Sequence, residues 1–215
     1  MPQGDVPPAA LDLWAMLAGP TGFLRVTFRE PPMATSCMVP VADVRRFERL
    51  VCGGAYDGEV VVGACTYVEN ALWNDEPMDR KVRPPYVPDV SNVLWARVET
   101  PAGREAVECF APSPTLVLGE GAAQTALWAL SQPLSRGLTG KLNLRLAHRV
   151  GAKKAYADPS FQFAPAGAVL RLGRARPVVV ETVSWTGELH GARAVAGGLE
   201  DPPDPRAAWK ARSVA

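Results

Sequence analysis

The chain of 215 residues is 47% apolar and carries a net charge of +1, from 23 basic and 22 acidic residues. That composition excludes a disordered polyelectrolyte and is ample for one large buried core. It also excludes whole-molecule attraction to nucleic acid or an anionic membrane, so any such partner must be met by a local patch.

In chain order, Pro7-Pro8 precede a segment from Ala9 to Leu17 that sets Leu13, Trp14 and Leu17 on one helical face, and Gly19-Pro20 closes it. The β-rich run Phe23 to Phe28 reads as a strand stopped by Pro31-Pro32. From Val41 to Val51 the apolar residues Val44, Phe47, Leu50 and Val51 recur at helical spacing while Arg45, Glu48 and Arg49 face solvent. The run Glu59 to Val68 reads as a long buried strand. Between Glu69 and Pro88 charged residues and prolines predict an exposed excursion, with Trp73 either anchoring it or displayed to a partner.

Strands are expected at Asn92 to Val98, Thr115 to Leu118 and Thr125 to Leu130, bounded by Pro112, Pro114 and Pro133. A helix over Leu134 to Val150 follows, with Leu138, Leu142, Leu146 and Val150 on an apolar line. Lys141, Arg145, Arg149 and Lys153 form an adjoining basic line, and residues 136 to 176 hold nine Lys and Arg, including Arg171 and Arg174, against one acid, Asp158. Such a ridge is either a solvated face or a phosphate-binding surface for DNA or RNA. Strands at Ala168 to Leu172 and Pro177 to Ser184 end a domain expected over residues 1–190. A loosely structured tail over 191–215, with Asp201-Pro202-Pro203-Asp204-Pro205, is expected after it.

Four separated cysteines, Cys37, Cys52, Cys65 and Cys109, include no Cys-x-x-Cys pair, so no zinc site is spelled and buried free thiols are expected. The opening Met-Pro-Gln-Gly-Asp has no leader pattern and no stretch approaches the roughly 18 apolar residues of a membrane span, so a cytoplasmic protein without membrane contact is expected.

From Val93 to Glu181 the order of elements resembles the archaeo-eukaryotic primase-polymerase superfamily, in particular its RepB-like branch. The strand Leu94-Trp95-Ala96-Arg97-Val98-Glu99 is similar to that branch's Leu-Trp-Ala-Asp-x-Asp, and Glu120 to Trp128 is similar to its Ser-x-Gly-x-x-His-x-Tyr-Trp. Val150-Gly151-Ala152-Lys153 stands where the family has Leu-Gly-Ala-Asp. Asp158-Pro159 to Gly167 stands where it has Asp-Pro-x-Arg-x-x-Arg-x-Pro-Gly, with Phe161 and Ala164 at the arginines. The resemblance implies a single α+β domain with a mixed or antiparallel central sheet and flanking helices.

It also implies remnant site positions at Arg97, Glu99, Thr125 and Asp158, with the family's metal ligands and nucleotide-binding histidine replaced. Residues two apart on a strand share a face, so Arg97 places a permanent cation where a carboxylate would hold Mg²⁺, and Glu99 is expected to pair with it. Thr125 reads as a strand residue and Asp158, before Pro159, as a turn former. His148 and His190 have no nucleophile in motif context, Ser113 and Ser160 lack a hydrolase elbow, and Gly119-Glu120-Gly121 lacks a P-loop lysine.

Three readings follow. The first is a non-catalytic primase-like protein of a mobile element, with no cofactor, that binds DNA or RNA weakly or contacts replication proteins. The second is an active primase using Mg²⁺ or Mn²⁺ on Glu99, Glu120 and Asp158. The third is an interaction module working through the excursion after Glu69.

Overall fold

The computed structural model describes residues 10–30, 33–52, 59–69, 86–171 and 176–202. The expectations for Trp73, Arg174 and residues 203–215, and for all of the excursion but its ends, lie outside them. Helix α1 (Ala10–Leu17) leads into strands β1 (Phe23–Glu30) and β2 (Met33–Pro40), helix α2 (Val44–Cys52) and strand β3 (Glu59–Glu69). Strand β4 (Tyr86–Val98) follows, starting earlier than its apolar core predicts because Tyr86 to Val90 pair with the end of β3. Helix α3 (Pro101–Glu108) was not anticipated, although Thr100 accepts from the Gly103 N–H and Pro101 opens the first turn, which are ordinary helix-start signals.

Strands β5 (Leu116–Glu120) and β6 (Ala123–Ser135) form a hairpin whose turn holds Gly121 at φ +68°, a conformation that costs glycine little. β6 runs through Pro133, although a proline is expected to bound a strand. Helix α4 (Arg136–Arg149), a 3-10 turn at Lys154–Ala157 and strands β7 (Gln162–Phe163), β8 (Val169–Leu170), β9 (Val178–Val179) and β10 (Glu181–Trp185) complete the domain. The segment expected to begin a loose tail instead carries helix α5 (Ala192–Ala196), whose Val195 and Ala196 are buried.

The main sheet is ordered β10-β5-β6-β4-β3-β1-β2, with β7 beside β3, and all its paired strands are antiparallel. Because side chains alternate across a strand, the two faces sort cleanly. Val93, Trp95, Leu118 and Leu127 pack on the side of α1 and α2, whereas Leu94, Ala96, Val98 and Trp128 pack beneath α4 and α5.

The buried face of α4 is Thr139, Leu142, Asn143, Leu146 and Ala147, continued by Val150 just past its end. Leu138, placed on the apolar line by its spacing, is 44% exposed. Two polar residues, Thr139 and Asn143, take the intervening buried positions. The Thr139 hydroxyl donates to the Ser135 carbonyl and Asn143 Oδ1 accepts from the Trp95 N–H at 3.0 Å.

That last bond marks a split in the sheet. β3 and β4 pair only between Thr66–Glu69 and Tyr86–Val90, and beyond there they part. The exposed backbone groups are met by inserted atoms: Asn143 takes the Trp95 N–H, the Phe161 carbonyl takes the Ala64 N–H, and Ser91 Oγ donates to the Ala64 carbonyl. Phe161 also stacks on Trp95 at 5.8 Å between ring centroids, with the planes 13° apart. An unpaired backbone group would cost about 1–3 kcal/mol, so these insertions make the split tolerable.

Cys65 is buried and burial pushes its thiol up to about 12, which keeps it protonated and inert. Cys37 is half-buried and Cys109 exposed, against the expectation of burial for every thiol, and the Cys52 side chain lies outside the described residues.

Candidate functional site

Arg97 near the end of β4, Thr125 on β6 and Glu120 at the end of β5 are brought together by register. Arg97 lies opposite Thr125, and Thr125 opposite Leu118, two residues before Glu120. All three share the sheet face that carries Trp95 and Leu118. Glu120 is 2% exposed, and a buried carboxylate needs a counter-charge and hydrogen bonds. It has both: Arg97 Nη1 stands 2.5 Å from its Oε2, and Thr125 Oγ1 donates to its Oε1 at 2.9 Å. The guanidinium approaches Oε2 off the hydrogen-bonding direction, and Arg97 Nε is buried without a partner, so the pair is held by charge more than by ideal geometry.

Glu99 does not pair with Arg97 as its spacing suggested. It is held by Lys153 and by Tyr156, whose hydroxyl donates to Glu99 Oε1 at 2.6 Å. Arg97 is nonetheless beside this second cluster, with its guanidinium carbon 5.4 Å from the Tyr156 ring centroid. Arg97 can reach a buried carboxylate with no other cation, while Glu99 lies at the strand exit within reach of the turn after α4.

Lysine and tyrosine hydrogen bonds hold the Glu99 carboxyl below its ordinary value, and Asp158 is lowered by the Ser160 hydroxyl and N–H. Asp158 Oδ1 accepts from Ser160 N at 2.7 Å and Ser160 Oγ at 2.5 Å, which is the turn expected before Pro159. A carboxyl whose folded pKa is depressed stabilises the fold above its unfolded pKa and loses that stabilisation as pH falls through the folded value. Urea-unfolding midpoints are therefore expected to drop below the ordinary carboxylate range, and Glu99→Gln should make the profile shallower. An unchanged profile would remove Glu99 from the account.

Each carboxylate considered as a metal ligand is thus already engaged: Glu99 by Lys153 and Tyr156, Glu120 by Arg97 and Thr125, Asp158 by Ser160. Among the described residues, no three His, Cys, Asp or Glu side chains come together in a group able to hold a metal. Hard-cation chemistry needs several oxygens on one ion, whereas each of these three carboxylates is met by a separate partner.

The basic line divides. Lys141 and Arg149 are exposed on α4, on the helix side of the sheet. Arg145 is held by Asp201 through two bonds, Nε to Oδ1 at 2.7 Å and Nη2 to Oδ2 at 3.2 Å. Lys153 lies beyond the helix end and belongs to the Glu99 cluster, while the Arg171 backbone N–H donates to Glu59. Tyr156 was missed, and nothing in Lys154-Ala155-Tyr156-Ala157 signals its role, since it depends on β4 lying alongside.

No family model matches the sequence, and no curated protein matches it. Solved structures do. The primase-polymerase AEP domain of cyanophage S-2L superposes with a TM-score of 0.60 at 16% identity, covering 89% of this chain and 97% of that one. The fold is that of a primase-polymerase domain.

Primase RepB′ matches with a TM-score of 0.57 at 14% identity over 96% of this chain, which spans 62% of that protein's chain. The catalytic domain of primase RepB′ in complex with initiator DNA gives 0.54 at 14% identity, covering 96% of this chain and 95% of that one. The primase-polymerase-like architecture and the α+β class expected from the motifs are therefore borne out. None of the described helices is long and apolar enough to cross a membrane.

Proposed function

We propose that this chain is a primase-polymerase-like domain that no longer synthesises primers, binds nucleic acid weakly through the outer face of α4, and serves as an accessory factor in replication of a plasmid or phage. The observation that carries the reading is Arg97 at 2.5 Å from Glu120. In-line phosphoryl transfer requires divalent ions to neutralise charge and activate the attacking hydroxyl, and a fixed guanidinium takes the place of one ligand while neutralising another. The cyanophage neighbour supports the mobile-element context, and the neighbour bound to initiator DNA supports a nucleic-acid partner. No cofactor is required, and the protein would act in the cytoplasm.

Purified protein is expected to incorporate no nucleotides on a primed or unprimed template with Mg²⁺ or Mn²⁺. Template-dependent incorporation abolished by Glu99→Gln would establish the active-primase reading instead.

Binding should be sequence-tolerant and steeply salt-dependent, each phosphate contact on duplex DNA contributing about 0.9 to the log–log slope. Arg145→Ala with Arg149→Ala is expected to flatten that slope by roughly one unit, the share of Arg149, because Arg145 is already held by Asp201. The fold should survive, because Leu142 and Leu146 beneath them are untouched. Asp201→Asn, which releases Arg145, should act in the opposite direction. Equal slopes for double variant and wild type would assign the basic face to solubility alone.

A further inference from the structure

The two ends of the sheet are built differently. β10 is five residues long, begins with Glu181 and carries a register shift between Thr182 and Ser184. Short length, charge and irregularity are the usual protections of an edge. β2, Met33-Ala34-Thr35-Ser36-Cys37-Met38-Val39-Pro40, has none of these along its length. It is eight residues long, uncharged, pairs with β1 without a register shift, and exposes Met33 to Thr35 and Ser36. Among the described residues no strand pairs with its other side.

Cations flank the middle of this edge on both sheet faces. Arg46 of α2 donates through Nη2 to Cys37 Sγ at 3.2 Å, and Arg25 of β1 donates through Nε and Nη2 to Ser36 Oγ at 3.1 and 3.0 Å. Ser36 and Cys37 are adjacent and so point to opposite faces. A thiol and a hydroxyl are poor partners for a guanidinium, which is best matched by a carboxylate.

We propose that the open edge of β2 receives an extended acidic segment of a partner protein, added as a further strand. The backbone ladder supplies affinity, while carboxylates at neighbouring positions, one on each face, reach Arg46 and Arg25. A sugar-phosphate chain has acceptors but no repeating N–H donors for such a ladder. A second copy of this chain would bring another uncharged β2 with its own Arg25 and Arg46, so like charges would meet.

The test uses the full chain and a fluorescein-labelled decapeptide of valine and threonine with glutamates at its two central positions, followed by fluorescence anisotropy. Saturable binding is expected, weakened at least tenfold when lysines replace the glutamates and likewise in Arg25→Glu with Arg46→Glu. Two further peptides carry N-methyl groups on alternate residues, one set odd and one even. Strand addition tolerates one set and not the other. Equal tolerance of both sets, or unchanged binding by the lysine peptide, would overturn the proposal whether or not the double variant folds. Tighter binding of a ten-residue oligothymidylate that is lost in the double variant would make this a nucleic-acid surface, and concentration-dependent dimerisation that blocks the peptide would make it a self-interface.

Discussion

Arg97→Ala is expected to lower stability by about 3 kcal/mol, because it strands the Glu120 carboxylate in a site that excludes water. Glu120 is 2% exposed, and after the change only Thr125 would meet it. The loss belongs to the stranded charge and not to the pair as such, so replacing both partners with apolar residues tests the cause. Arg97→Met with Glu120→Leu is expected to recover most of the loss, since a buried ion pair is often no better than well-packed apolar side chains. Urea unfolding of the wild type, the single variant and the double variant decides it. A single variant within about 0.5 kcal/mol of wild type, the range of an ordinary surface change, would mean that Glu120 is solvated.

Trp95→Ala is expected to cost about 3–5 kcal/mol, the range for emptying a buried aromatic position. Trp95 is fully buried, stacks on Phe161, and donates its indole N–H to the Tyr156 carbonyl at 2.6 Å. It therefore ties β4 to the segment that fills the split. Trp95→Phe keeps the ring contact and loses the donor, so a cost of about 1–2 kcal/mol is expected from the missing hydrogen bond and the reduced volume. A loss for alanine no greater than that for phenylalanine would show that the stack with Phe161 contributes little.

Much of the fold was legible where burial follows a simple period. The apolar run around Leu94 and Trp95, the run Val60 to Ala64 and the repeat of Leu142, Leu146 and Val150 each gave an element of the right type. β2 was missed because Ala34, Thr35 and Ser36 make an exposed edge that carries no hydrophobic signal. The inward face of α4 was misjudged at Leu138 because Thr139 and Asn143 are buried for their hydrogen bonds. The motif positions identified Arg97, Glu99 and Thr125, and the sequence reading also singled out Glu120 as a conceivable ligand. Who pairs with whom was not legible. Lys153 reaches Glu99 only because the chain turns after α4, and Arg97 reaches Glu120 only through the register of β4, β6 and β5.

The placement of α4 on one side of the sheet and of Arg97, Thr125 and Glu120 on the other has an evolutionary consequence. The sheet and the side chains packed beneath the helix lie between them. Substitutions around Arg97 and Glu120 on one side therefore leave the charges on the other side unaltered, and selection can act on the two surfaces separately. The chemistry of one face can change while the helix face goes on being selected for whatever it holds.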